Sequence, residues 1–192
     1  RLGLACLVVV TLAFVSLLSF SSGQALTGSF CLIMICSISA FLSLNFRRPW
    51  HMKALVYLGD AGSTMLGFIL AWLLITNTQG MTPIFEPVYA LWFLAVPLID
   101  TVNLLIKRPL RGKSPFSPGN DHFHHMLLSR GYSVERVVFI MLSIAIVCGG
   151  VGLLGLSVGA KESTMFIIFI SLFSFYFCLG DRIRQEPTSG RL

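Results

Sequence analysis

The fold class this sequence predicts is all-α: a polytopic transmembrane helix bundle of about six spans. Three observations carry that expectation. Of 192 residues, 55% are hydrophobic and only 11% are charged, whereas a soluble domain carries about 25% charged residues. Mean hydropathy is +0.83. The charges are also segregated. No charged residue occurs from Leu2 to Asn45, whereas Lys107 to Arg136 holds six of the fourteen Lys/Arg residues and three of the four histidines. At this length the whole chain, 1–192, is expected to form a single membrane domain.

The spans follow in order. The uncharged stretch at the start is too long for one crossing, because about 20 residues traverse the hydrocarbon. The polar knot Ser21-Ser22-Gly23-Gln24 divides it into spans at 2–20 and 25–44. A secretory signal peptide is the rival reading of the first stretch, but no basic n-region precedes the apolar run. A third span is expected at 61–76 and a fourth at 88–106, the latter interrupted by Pro97 and Asp100. A fifth occupies 137–158. Lys161-Glu162 makes a tight turn into a sixth at 163–179, and a short polar tail from Gly180 is expected to fray.

Charge sets the expected orientation. Six spans put both chain ends, the loop at about 45–60 and the loop at 107–136 on one side, with thirteen of the fourteen Lys/Arg residues; only Lys161 falls on the other. Positive residues mark the cytoplasmic face. The formal charge of +6 is thereby explained by topology and by attraction to anionic membrane lipid. No nucleic-acid partner is expected, since no signature of a nucleic-acid-binding fold is present. The five cysteines all lie in apolar runs, where a thiol behaves as a small hydrophobe. No CxxC pair or Cys/His cluster argues for zinc or a disulfide framework.

Two motifs on the basic side can carry chemistry. Leu58-Gly59-Asp60-Ala61-Gly62-Ser63 stands where the third span begins. Its glycines permit a sharp turn and close approach to a ligand. A helix N-terminus offers free N–H groups to phosphate. Asp60 is either a helix cap or a hard oxygen ligand for a cation such as Mg²⁺, which uses one or two carboxylates plus substrate phosphates. The second motif is Asp121-His122-Phe123-His124-His125. In a helix His122 and His125 share a face; in an extended segment His122 and His124 do. Zinc is one reading, although no fourth ligand stands at a usual spacing. Binding of phosphate or diphosphate, with the neighbouring Arg and Lys as charge-assisted donors, is another, and a solvated loop is the third. Asp100, near the end of the fourth span, is a functional candidate because ionisable groups inside spans are costly. It is equally a candidate partner for Lys107 or Arg111.

Taken together, Asn45, LVYLGDAGSTMLGF from Leu55, VPLID from Val96 and KSPFSPGNDHFHH from Lys113 resemble the polyprenyl-phosphate N-acetylhexosamine-1-phosphate transferases. Within them the SPFSP and DHFHH forms are similar to the bacterial undecaprenyl-phosphate N-acetylglucosamine branch. The resemblance runs through nearly the whole chain with consistent spacing. It implies an enzyme that transfers N-acetylglucosamine 1-phosphate from UDP-N-acetylglucosamine to undecaprenyl phosphate, releasing UMP, at the start of cell-envelope polysaccharide (O-antigen) synthesis. It implies a multi-pass protein of the bacterial inner membrane with its active face cytoplasmic. Asp60 then matches the magnesium-binding aspartate (Mn²⁺ being the alternative metal). His122, His124 and His125 match the cytoplasmic histidine motif implicated in diphosphate binding, and Asn45 matches an asparagine implicated in nucleotide recognition. Arg111 and Lys113 are further candidates for phosphate contact.

The departure from the family pattern is in the first half. Relatives have about ten or eleven spans, with an adjacent Asp-Asp pair and a further Asp-rich loop; no Asp precedes Asp60 here. The chain is therefore expected to be the C-terminal part of a larger transferase, recorded as a fragment or completed by a separate N-terminal half. The rival expectations are a truncated, inactive membrane remnant or interaction module, and a related transferase using another UDP-N-acetylhexosamine.

Overall fold

The computed structural model describes residues 2–45, 56, 58–112, 114 and 122–185. Every regular element among them is helical: α1 (Leu2–Ser21), α2 (Ala25–Asn45), α3 (Gly59–Gln79), α4 (Pro87–Phe93), α5 (Ala95–Leu110), α6 (Phe123–Ser129), α7 (Val134–Ser157) and α8 (Glu162–Gln185). The expected all-α fold is borne out. Four helices, α1, α2, α3 and α7, are long and apolar enough to cross a membrane, and the bent pair α4–α5 makes a fifth if it counts as one span. The remaining expected span is α8, whose apolar part, Glu162–Cys178, is shorter. "About six" is thus an approximate count of four long helices, one broken pair and one shorter helix.

The first apolar stretch is the centre of the bundle. Ala5, Leu12, Val15 and Ser19 of α1 have no exposed surface, and α1 packs against α2, α3, α4, α5 and α7. Between helices in lipid the hydrophobic effect supplies no drive, so close packing and hydrogen bonds from small polar side chains hold the contacts. Ser16 Oγ donates to the Gly28 carbonyl of α2 at 3.1 Å. Gly152 of α7 lies so close to α4 that a Cβ there would sit 2.7 Å from Trp92 Cβ. The outer surface is apolar instead: Phe68, Ile75, Phe139, Val147 and Leu154 are all exposed. A surface of that kind belongs against lipid, not water.

The fourth span breaks in a different place from the one expected. The turn falls at Leu94, where α4 and α5 meet at 89°, not at Pro97 or Asp100, which both lie inside α5. The cause is still Pro97. A proline has no N–H to give the carbonyl four residues back, and its ring crowds that carbonyl. The carbonyl in question is that of Phe93, and Thr11 Oγ1 of α1 donates to it at 2.9 Å. The hydroxyl also bonds Leu7 O at 3.2 Å. The helix therefore breaks just before the proline's first turn, where a missing N–H costs nothing.

Two further differences are local. The polar run at 107–136 is not a loop throughout, because α5 continues to Leu110, α6 lies within it and α7 begins at Val134. The tail expected to fray from Gly180 is helical to Gln185; one glycine costs a helix only about 1 kcal/mol relative to alanine.

Contacts between connections sort the helix ends. Gln24 Nε2 donates to Thr82 O at 2.9 Å, tying the α1–α2 turn to the α3–α4 turn. Tyr89 Oη donates to Ala160 O at 3.0 Å, tying the start of α4 to the α7–α8 turn. At the other end of α1, Gly3 and Leu4 share a cavity with Asp100 of α5, the histidines and Val134 at the start of α7.

Candidate active site

The centre of the candidate site is α6 and the residue before it. His122 caps the helix in extended conformation (ψ 153°), so its ring does not continue the helical spacing of His124 and His125. The rings of His122 and His124 stack with centroids 5.7 Å apart, and His124 and His125 follow at 4.2 Å. Neither regular periodicity alone describes the motif: one histidine is extended and two are helical.

Phe123, Leu127 and Leu128 of α6 pack on a core patch containing Leu7, Val96, Val137 and Met141, and Phe123 meets Tyr176 of α8 edge-on at 5.9 Å. The short helix is docked by its apolar residues and separates two cavities. One, of about 270 Å³, is apolar and lined by Val96, Ile99, Phe123, Met126, Leu172 and Tyr176 among others. The other, of about 540 Å³, holds His122, His124 and His125 beside Pro97 and Thr101. Asp100 lines both.

Asp100 finds a partner that the sequence did not indicate. Its Oδ2 lies 3.0 Å from His122 Nδ1 and its Oδ1 accepts from the Phe123 backbone N–H at 2.9 Å. The expected alternatives, Lys107 and Arg111, are not its partners. Lys107 is buried and donates instead to Phe177 O of α8 at 2.7 Å, over the Phe177 ring. The hint in the sequence was an acidic residue within an apolar span; the partner lies 22 positions away, and only the turn at Leu94 and the docking of α6 bring the two together.

The electrostatics of the motif favour neutral imidazole at its middle. The pKa of His124 is lowered, first by burial and then by the like charges of His125 and His122, with Asp100 opposing. A desolvated base resists protonation.

The other candidates lie apart from this cluster. Asp60 is exposed in the first turn of α3, and the cap position is Leu58, with no side-chain cap bond. The capping role is therefore not the one Asp60 plays. Of the two glycines expected to turn the chain, Gly59 does so with φ +68°, whereas Gly62 lies within α3 under the side chain of Leu58. Asn45 is buried at the end of α2, donates to Phe41 O at 3.1 Å and accepts from Val56 N–H at 3.4 Å, which ties it to the approach to α3. Arg111 is exposed just beyond α5. Lys113 and Asp121 lie outside the described residues. Among the described residues no group of three or more His, Cys, Asp or Glu side chains is disposed to hold a metal.

Comparison with known proteins bears on what this arrangement is for. The profile of glycosyl transferase family 4 matches residues 3–78. The undecaprenyl-phosphate alpha-N-acetylglucosaminyl 1-phosphate transferase of Haemophilus influenzae is 37% identical over 174 residues, 91% of this chain and 48% of that protein. The chain is similar to glycosyl transferase family 4 over residues 3–78 and to such transferases over nearly its whole length. Transferases of the same name from Pasteurella multocida and Escherichia coli K12 are 35% and 33% identical, over 86% and 92% of this chain. No solved structure matches. The chain spans about half the length of the curated relatives it matches, in their C-terminal half. The resemblance drawn from the motifs is thereby borne out: the chain is similar to glycosyl-1-phosphate transferases. His124 and His125 lie on α6 with His122 just before it, and Gly59-Asp60-Ala61-Gly62-Ser63 opens α3.

Proposed function

We propose that the protein carrying this chain transfers N-acetylglucosamine 1-phosphate from UDP-N-acetylglucosamine to undecaprenyl phosphate. A phosphate oxygen of the lipid attacks the β-phosphorus of the nucleotide sugar. The bond from that phosphorus to the bridging oxygen breaks, UMP leaves, and a lipid-linked diphosphate sugar remains. The observation that carries this reading is the pairing of two cavities across α6, one apolar and one in which three histidines stand in a mostly apolar wall. A polyprenyl phosphate needs both environments within a few ångströms. The relatives' names supply the substrate class.

The residues divide the work as follows. The apolar cavity accommodates lipid next to the reacting phosphate. His122, His124 and His125 face the polar substrate. A neutral His124 serves as an uncharged donor or acceptor, so the negative charge of two approaching phosphates must be met elsewhere. Arg111 and Lys113 are the candidates for that on this chain, since charge-assisted donors are the strong ones. Asn45, next to the approach to α3, is assigned to the nucleotide. Asp60 supplies one hard oxygen ligand of the kind Mg²⁺ (or Mn²⁺) takes together with substrate phosphates, and the metal, when bound, would screen the phosphate charge. The basic loops support a site on the cytoplasmic face of the bacterial inner membrane, and the reaction would be the first step of a cell-envelope polysaccharide such as O-antigen.

The test is transfer of labelled sugar phosphate from UDP-N-acetylglucosamine to undecaprenyl phosphate by membranes containing the protein. Labelled lipid and stoichiometric UMP are expected. Lipid labelled only from a different UDP-N-acetylhexosamine would replace the donor, and no transfer from any such donor would refute the reading.

A further inference from the structure

We propose that Asp100 is the positioning residue of the histidine motif, and that it makes His122 a hydrogen-bond acceptor toward the histidine-lined cavity. The inference rests on the transferase reading only for the identity of the ligand. Its geometry is independent of it.

Asp100 is 13% exposed at its side chain and adjoins the apolar cavity. A carboxylate in such surroundings is costly unless its oxygens are hydrogen-bonded. Both are, and both donors come from one short segment: Nδ1 of His122 at 3.0 Å and the Phe123 N–H at 2.9 Å. One bond alone would let the segment pivot. Two bonds, one to a ring and one to the adjacent backbone, fix the ring orientation and the start of α6 together.

The chemistry of the pair then sets the tautomer. A carboxylate can only accept, so Nδ1 is the donor. In neutral imidazole the other nitrogen, Nε2, then carries the lone pair. His122 also lines the larger cavity, with His124 and His125. It therefore offers an acceptor there, suited to a sugar hydroxyl, an amide N–H or the proton of a phosphate monoester, and unsuited to a bare diphosphate oxygen. The three histidines of the motif are not equivalent: diphosphate contact falls to His124, His125 and the basic residues.

The test uses the protein carrying this chain, labelled with ¹⁵N-histidine and purified in detergent, at about pH 8, where a free imidazole is neutral. Imidazole ¹⁵N shifts are expected to show Nδ1 of His122 protonated and Nε2 bare. In Asp100→Asn the carboxamide oxygen still accepts from Phe123, but its NH₂ must face Nδ1, so the tautomer reverses while the Phe123 amide keeps its protection from hydrogen exchange. Asp100→Ala loses both features. A wild-type His122 protonated on Nε2, or an Asp100→Asn protein that keeps Nδ1 protonated, overturns the proposal. Should the variants fail to fold, the wild-type tautomer alone still decides it. With transferase activity present, Asp100→Asn is expected to lose at least ~10-fold in kcat with little change in KM for the UDP-sugar. Absence of activity in the wild type would refute the transferase reading and leave the tautomer result standing.

Discussion

Thr11 of α1 and Phe93 of α4, 82 positions apart, are joined by a 2.9 Å hydrogen bond from the threonine hydroxyl to the phenylalanine carbonyl. The bond exists because residue 97 is proline and leaves that carbonyl without its helical donor. Inside a membrane no water can take the place of the missing N–H. Thr11→Val is expected to destabilise the bundle by about 1 kcal/mol, the scale of interhelical hydrogen bonds in membrane proteins. The informative measurement is a double-mutant cycle in mixed micelles. Pro97→Ala restores an N–H for Phe93 O, so Thr11→Val should cost clearly less in that background. Equal costs in both backgrounds would separate the threonine from the break.

Asp60 tests the metal assignment. It does not cap α3, since Leu58 holds that position. Removing a carboxylate from a helix's first turn changes stability by less than about 1 kcal/mol. Asp60→Asn keeps the shape and removes the charge. In the protein carrying this chain it is expected to leave insertion and folding normal and to lower the transfer rate at least ~100-fold, equivalent to ~2.7 kcal/mol of barrier. Near-normal turnover would remove Asp60 from the metal site.

His124 should titrate below the ordinary imidazole range, because it is desolvated and because His125 and His122 repel its charge. The sign follows from linkage: the unfolded chain takes up this proton at a higher pH than the folded one. His124 therefore contributes stability that is whole above about pH 6.5 and lost as pH falls from there toward its depressed folded pKa. His125→Gln removes one repelling charge and should raise the His124 midpoint, though not to the free value, since burial is the larger cause. Histidine NMR against pH reads both midpoints; an unchanged midpoint in the variant would rule out coupling within the motif.

The sidedness of the bundle can be read directly. In a cysteine-free background, Cys introduced at Gln79 and at Ser129, both exposed, should react with a membrane-impermeant reagent from opposite faces. Reaction of both from one face would refute the six-crossing arrangement.

Most of the helices could be read from the chain because lipid enforces a simple rule: about 20 apolar residues between polar punctuation. Ser21 to Gln24 and Asn77 to Gly80 are such punctuation, and the helices stop there. The family could be read as well, since the Gly-Asp-Ala-Gly-Ser and histidine motifs are local strings. The fourth span was harder. Pro97 signalled a break, but the break lies at Leu94 because a proline is harmless in a helix's first turn and harmful beyond it. Where that first turn begins depends on a carbonyl finding Thr11.

What the sequence determined by itself was therefore composition and local pattern: an all-helical membrane protein, its motifs and the segregation of its charge. These follow from solvation and short-range periodicity, which act on neighbours in the chain. Tertiary structure alone decided that Asp100 meets His122 and the Phe123 N–H rather than Lys107 or Arg111, that α6 lies between an apolar cavity and one that gathers the three histidines, and that α1 lies at the centre of the bundle. An acidic side chain in an apolar span must find donors, but which donors it finds depends on an 89° turn and on the docking of a seven-residue helix. Neither is encoded in any contiguous stretch.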